Sequence, residues 1–239
     1  HELTQELQKV NRAPHSVIGS TTIGASIVGG IANNSGGALC KRGSAYTELA
    51  LYAQVDKAGK LNLVNHLGIR NLGETPEEIL TRLEQGDIPA ADVEGKDKSA
   101  SDREYKHRIR NLDADLPNRF NADPSRLYEV SGSAGKVAAF AVRVDSYPLP
   151  TRKQVFYLGT NDPANFVTLR QHILKNFAEL PDMCEYMNRP IFDTAARYGK
   201  DVFLSIKHGW DAFHPMTVQQ TKMMTELGIN KTIMPYFGV

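Results

Sequence analysis

Cysteine is scarce in this chain: 239 residues hold two, Cys40 and Cys184. They lie far apart, with no CxxC pair and no His/Cys spacing. That excludes a zinc framework or a disulfide scaffold, and it makes a reducing compartment the expected setting. Charge of one sign is lacking as well. Lys and Arg number 28 against 27 Asp and Glu, for a formal net charge of +1, so no global field exists to hold nucleic acid or an anionic bilayer. No apolar run approaches the ~18 residues of a spanning helix, and the amino end does not read as a signal peptide. Two nucleotide motifs are missing too. There is no G-x-x-x-x-G-K-[ST], and no G-x-G-x-x-G opening a helix with an acid ~20 residues on, which disfavours a P-loop ATP site and a dinucleotide-fold NAD site. No metal site is expected.

What the chain does have is a crowd of glycine and small residues in one apolar stretch, GSTTIGASIVGGIANNSGG at 19–37. A glycine admits positive φ and lets a ligand approach the main chain at van der Waals distance, and free N–H groups in such turns form a concave donor array. The stretch is expected as short apolar pieces rather than helix, since an interior Gly costs about 1 kcal/mol against Ala.

The rest reads as alternating strand and helix signals. HELTQELQKVNRAP lacks an initial Met and carries a helical stripe of Leu3, Leu7 and Val10 with no earlier partner, so the chain reads as the inside of a longer protein. AYTELALYAQV, KAGK and LNLVNHLG predict a hairpin. ETPEEILTRLEQG predicts a short helix with Thr75 as N-cap, Pro76 at its first position, Glu78 closing a capping box and Gly86 after its end. Residues 87–125 are charged and poor in large apolar groups, which suggests an exposed insertion with one helix over 103–112. SGSAGKVAAFAVRV predicts a Gly/Ser turn at 131–135, then a central strand, or a helix turning into one, over 137–144. After a linker, QVFYLGT predicts a strand. Next comes a helix with Asp162 as cap, Pro163 at its start, and Phe166, Leu169, Ile173 and Phe177 on one face. CEYMNRPIFDTAARYGKDVFLSI then predicts helix followed by strand. From Lys207 the composition changes, with the single Trp and four of the six Met.

TIGASIVGGIANNSGG, followed about a hundred residues later by SGSAGKVAAFAVRV, resembles the paired signatures of the FAD-linked oxidase family with the vanillyl-alcohol-oxidase-type flavin fold. PHSVIGS, GKLNLVNHLGI, RFNADPSRLYEVSGSAGK, QVFYLGTN and YGKDVFL extend the resemblance, from about Arg12 to about Ile206, to its respiratory, quinone-dependent branch acting on D-lactate. The resemblance implies an α+β chain: the second half of a PCMH-type FAD-binding domain over 1–147, with the insertion at about 87–125. The start of an α+β substrate cap would follow over 151–206, then a tail, 207–239, of unclear assignment. It implies FAD contacts at Gly19, Ser26, Gly36 and Ala139, with Ile23, Gly24, Asn33 and Gly37 as neighbours.

The reaction implied is oxidation of D-lactate to pyruvate, with electrons passed to quinone. An Arg for the substrate carboxylate and a His as base are the residue types such chemistry needs. Arg189 is the candidate for the first; no base is assigned, since His15, His66 and His172 read as structural. For the family the resemblance implies peripheral attachment on the cytoplasmic side of the inner membrane. The attaching region is expected outside this chain, which alone would be soluble and cytoplasmic. Two rival readings stand beside this one: a folded, non-catalytic remnant serving as a binding module, and a glycolate-type 2-hydroxy-acid dehydrogenase.

Overall fold

A computed structural model describes residues 2–15, 26–36, 39–94, 97–115, 117 and 122–198. The chain divides into two compact units, His1–Ser20 with Ala25–Cys184, and Thr21–Gly24 with Glu185–Val239. Helices and strands alternate as α1 (Glu2–Gln8), β1 (Arg12–Ala13), α2 (Ile27–Ala32), β2 (Ala50–Val55), β3 (Leu61–Asn65), α3 (Pro76–Gln85), α4 (Tyr105–Arg108), β4 (Ala138–Val142), β5 (Tyr147–Pro148), α5 (Ala164–Asn176) and α6 (Arg189–Tyr198). The fold is therefore α+β.

In the first unit β2 is the middle strand of an antiparallel sheet ordered β3-β2-β4. The predicted hairpin forms: Ala53 faces Leu63 and Val55 faces Leu61. Its turn is closed by Asp56, whose Oδ1 accepts from the Ala58 and Lys60 amides at 2.8 and 2.9 Å. Strand alternation sends Ala50 and Tyr52 to one core, with Ile31, Ala45 and Val130, and Leu51 to the other, with Leu67, Leu72 and Ile79. Each Leu, Ile or Val among them contributes roughly 1.5–3 kcal/mol when fully buried, and each Ala less.

The strand after Gly135 is at the edge of this sheet, not its centre. Its register shifts between Leu51 and Tyr52: Leu51 pairs with Ala141 but Tyr52 with Ala139, so Phe140 is an extra residue in a β-bulge. The bulge breaks simple alternation. Ala139 packs against the first core and Ala141 against the second, two residues that an unbroken strand would put on one face. Phe140 is left half exposed, at 50%.

Four sequence expectations change. A helix, α2, does form in the glycine-rich stretch, because Ser26 caps it and Gly30 and Ile31 are buried, so tertiary burial outweighs the propensity cost. The 87–125 insertion is exposed near its start but moored further on. Tyr105 is 1% exposed, the Glu48 amide donates to the Ser99 carbonyl at 2.8 Å and the Ser99 amide to Glu48 Oε2 at 2.9 Å, and Ser101 Oγ donates to Asp145 at 2.6 Å. Its predicted helix contracts to α4. QVFYLGT is not a strand: it has no ladder partner among the described residues, and Val155, Phe156, Tyr157 and Leu158 are exposed. Strand propensity expresses itself only where a partner supplies hydrogen bonds.

Helix α5 follows the prediction. Asp162 accepts from the Ala164 amide at 3.0 Å, Phe166, Leu169 and Ile173 are half-buried, and Leu174 is buried. Phe177, the fourth residue of the predicted face, lies just past the helix and is exposed. Arg110 closes the carboxyl end by donating to the Leu174 and Ala178 carbonyls at 2.8 and 3.1 Å. In the second unit the described element is α6. The strand predicted after it, and the 207–239 tail, lie outside the described residues.

Helix α3 matches its prediction at both ends. Thr75 and Glu78 form the capping box, and Gly86 ends the helix in the left-handed conformation at φ 70. Thr75→Ala should lower stability by about 1 kcal/mol in urea unfolding. The Glu78 carboxyl is held below its ordinary pKa of 4.5 by the Glu74 amide first and the Thr75 amide second. A depressed carboxyl contributes stability above its unfolded pKa and loses it as pH falls through the folded one. Glu78→Gln should therefore flatten the fall in stability as pH is lowered from neutral through 4.5 and below, read by unfolding of both proteins across that range.

Candidate functional site

The two glycine-bearing signatures, a hundred residues apart in the chain, meet. Ser26 starts α2, and its Oγ accepts from the Gly29 amide at 3.0 Å. A Cβ on Gly29 would come to 2.9 Å of that hydroxyl, so glycine there leaves room for the cap. At the other end of α2 the Gly132 amide donates to the Ile31 carbonyl at 3.0 Å, and the Ala134 amide to the Ala32 carbonyl at 2.9 Å. The second signature thus caps the last carbonyls of the helix built by the first.

This junction is locked from three directions. Ser131 Oγ accepts from the Thr47 amide at 3.0 Å and donates to the Thr47 carbonyl at 2.8 Å. Thr47 Oγ1 reaches the Arg143 carbonyl beyond β4 at 2.6 Å. Asn34, 1% exposed, donates from Nδ2 to the Arg126 carbonyl at 3.1 Å. Gly132 sits at φ 70, where a Cβ would fall 2.3 Å from Leu127 Cδ2 and 2.5 Å from Asn34 Nδ2. Only glycine fits. Thr47 carries no motif signal, and Asn34 and Ser131, though inside the two signatures, were not singled out by them; the roles of all three come from burial of polar groups that must be paired.

Of the predicted cofactor residues, Ser26, Asn33, Gly36 and Ala139 are described. Ser26 and Asn33 are the two caps of α2, Gly36 is half-buried, and Ala139 lies in β4 against the same core as Ile31. Gly19, Ile23, Gly24 and Gly37 lie outside the described residues. Arg189, the candidate for a substrate carboxylate, stands on α6 in the second unit, its side chain 82% exposed and paired with Asp193 at 2.8 Å.

The three histidines differ. His15 is buried, with Nε2 3.1 Å from the Gly43 carbonyl and its ring edge-on to Tyr147. It lines, with Ile27, Ile31 and Tyr46, a cavity of about 10 Å³, room for one water and not for a flavin ring. His172 is exposed on α5 beside Asn176. His66 pairs through Nδ1 with Glu129, a partner that no sequence signal indicated. Among the described residues no group of three or more His, Cys, Asp or Glu could hold a metal ion.

The α+β content of the chain is consistent with the flavin-oxidase class. The comparisons narrow that class. The family described as "D-lactate dehydrogenase, membrane binding" matches residues 155–234. Quinone-dependent D-lactate dehydrogenase of Escherichia coli K12 is 54% identical over 206 residues, 86% of this chain and 36% of that protein. Those of Haemophilus influenzae and Corynebacterium glutamicum are 53% and 46% identical, over 87% and 86% of this chain and 36% of each relative. Over most of its length, then, this chain is similar to quinone-dependent D-lactate dehydrogenases, and it spans about a third of their length. One expectation is corrected. The region named for membrane binding was expected outside this chain, yet its family match begins at Val155 and runs into the 207–239 tail.

The glycines give a direct contrast. Gly132→Ala should destabilise by roughly 1–3 kcal/mol through overpacking and a forced positive φ. Gly86→Ala has the φ penalty alone, since nothing lies within 4 Å of its Cβ, and should cost less. Urea midpoints of the two variants decide the order.

Proposed function

We propose that this chain carries the flavin-facing part of an FAD-dependent enzyme that oxidises D-lactate to pyruvate and passes the electrons to quinone. The observation that supports it is the junction of Ile31 and Ala32 with Gly132 and Ala134, which joins the two segments the motif pair requires. At Gly29 and Gly132 the space a side chain would need is taken by Ser26 in the one case and by Leu127 and Asn34 in the other, so these glycines serve the junction itself; the features that suit the approach of a flat ring are the small Ala139 and the bulge at Phe140, which interrupts the β2–β4 ladder.

When bound, the flavin supplies the redox chemistry, taking two electrons from the substrate carbon and releasing them to the quinone. The chain's own contribution is shape and donors. Gly19, Ser26, Gly36 and Ala139 are proposed as flavin contacts, with Ile23, Gly24, Asn33 and Gly37 as their neighbours. In this reading the PCMH-type domain is completed by sequence beyond the matched third of the relatives. Arg189 is the candidate for the substrate carboxylate, and it must exchange its Asp193 partner to act.

Attachment to the membrane is proposed to be peripheral, through the segment beginning at Val155. No helix among the described residues is long and apolar enough to cross a membrane, and by resemblance the side is the cytoplasmic one. The test starts from the purified full chain titrated with FAD, following quenching of flavin fluorescence. Uptake of FAD, then bleaching by D-lactate and reoxidation by a soluble quinone analogue, is the expected result. A chain that takes up no FAD supports the non-catalytic module instead, and bleaching by glycolate in preference to D-lactate supports the glycolate-type enzyme.

A further inference from the structure

Glu129 occupies a conformation that its side chain disfavours. It lies at φ 52, in the left-handed region where glycine, asparagine and aspartate are the usual occupants. Tyr128 and Ser131 exchange both backbone bonds, at 3.1 and 2.8 Å, so Glu129 and Val130 form a two-residue corner, the setting in which Asn-Gly or Asp-Gly is ordinarily found. Its carboxylate is also nearly buried, with the side chain 9% exposed and Oε2 without a hydrogen-bond partner among the described residues. The other oxygen, Oε1, meets His66 Nδ1 on the loop leaving β3. His66 keeps 41% of its side chain exposed.

A glutamate at such a corner has to be held there, and the surroundings show by what. Lys98 is directed to the Tyr128 hydroxyl, 2.9 Å away, which leaves the imidazole as the group in contact with the carboxylate. Everything immediately after the corner belongs to the junction: Val130 is fully buried in the core under α2, Ser131 is clamped by Thr47, and Gly132 and Ala134 cap α2. The corner thus sets the direction in which the second signature enters the site. Backbone strain held by a specific partner is a pointer to function.

We infer that His66 and Glu129 are a positioning pair: the imidazole holds the carboxylate, the carboxylate holds the corner, and the corner fixes how residues 131–134 and β4 lie on α2. The role in cofactor orientation rests on the flavin reading; the clamp itself does not. Both residues act through the main chain of others and touch no reacting atom.

Amide hydrogen exchange on the full chain without FAD reads the clamp. His66→Ala and Glu129→Ala should each speed exchange of the Ser131, Gly132 and Ala134 amides about tenfold, the size expected for loss of a hydrogen bond to a charged group. The hairpin amides of β2 and β3 should not change. The double variant should be no worse than the poorer single one, because the two act as a unit. His66→Asn, which keeps a donor near Nδ1, should stay within about threefold of wild type, and it carries the test if His66→Ala does not fold. Unchanged exchange in the single variants, or additive effects in the double, overturns the pair. At saturating FAD, His66→Ala should also alter the visible circular dichroism of the bound flavin, a change that loss of global stability does not produce; an identical spectrum overturns the positioning role. A wild-type chain that takes up no FAD sinks the flavin reading, while the exchange experiment still decides the clamp.

Discussion

Two main-chain hydrogen bonds organise this chain, those from Gly132 and Ala134 to the carbonyls of Ile31 and Ala32. A six-residue helix is too short to stand by propensity, and α2 contains two glycines. It persists because Ser26 satisfies its amino end, the 131–134 segment satisfies its carboxyl end, and Ile31 is buried against Ala50, Tyr52 and Val130. The absent Cβ of Gly132 is what permits the approach, since any side chain there would strike Leu127 and Asn34. The first signature therefore has its helical form only when the second is in place, and a paired motif in the sequence is one structural object.

The sheet serves the same junction. β2 divides its side chains between two cores, and β4 must send Ala139 to one and Ala141 to the other, which strict alternation cannot do. The bulge at Phe140 resolves the conflict by adding one residue. Polar groups then fix the register: Ser131 and Thr47 exchange three hydrogen bonds' worth of donors and acceptors with each other and with Arg143, so a slip of one residue would leave buried groups unpaired. The insertion before the second signature is tied in by charge, with Asp102, its side chain 2% exposed, between Arg108 at 2.6 Å and Arg126 at 3.0 Å. Gly43 is kept small beside it, since a Cβ there would lie 2.9 Å from Asp102 Oδ2. Breaking such a buried group from its partners is costly even where the intact cluster adds little net stability.

Similarity to quinone-dependent D-lactate dehydrogenases covers most of the chain but about a third of those proteins, and the membrane-binding family match takes up its later part. Exposed apolar groups are concentrated there: Val155, Phe156, Tyr157 and Leu158 in the first unit, Ile191, Phe192 and Tyr198 on α6 in the second. In both places the sequence is apolar enough for burial, and among the described residues it is not buried.

Local chemistry was legible in the sequence wherever it acts within a few residues. The Thr75–Glu78 capping box, the Gly86 stop, the 56–60 turn and the Asp162 start of α5 each depend on groups two to four positions apart, so residue type and spacing decided them. The pairing of the two glycine signatures was legible as well, through their resemblance to a known motif pair. What only the tertiary structure decided depends on groups far apart in the chain. α2 forms against its propensity because Ile31 is buried, QVFYLGT lacks a ladder because strand pairing needs a neighbour, and Tyr105 is drawn under an otherwise charged insertion. Ala139 and Ala141 part company at a bulge that no period in the sequence announces. Glu129 finds His66 across 63 residues, and a single surface-type acid in a sequence gives no sign that folding will bury it.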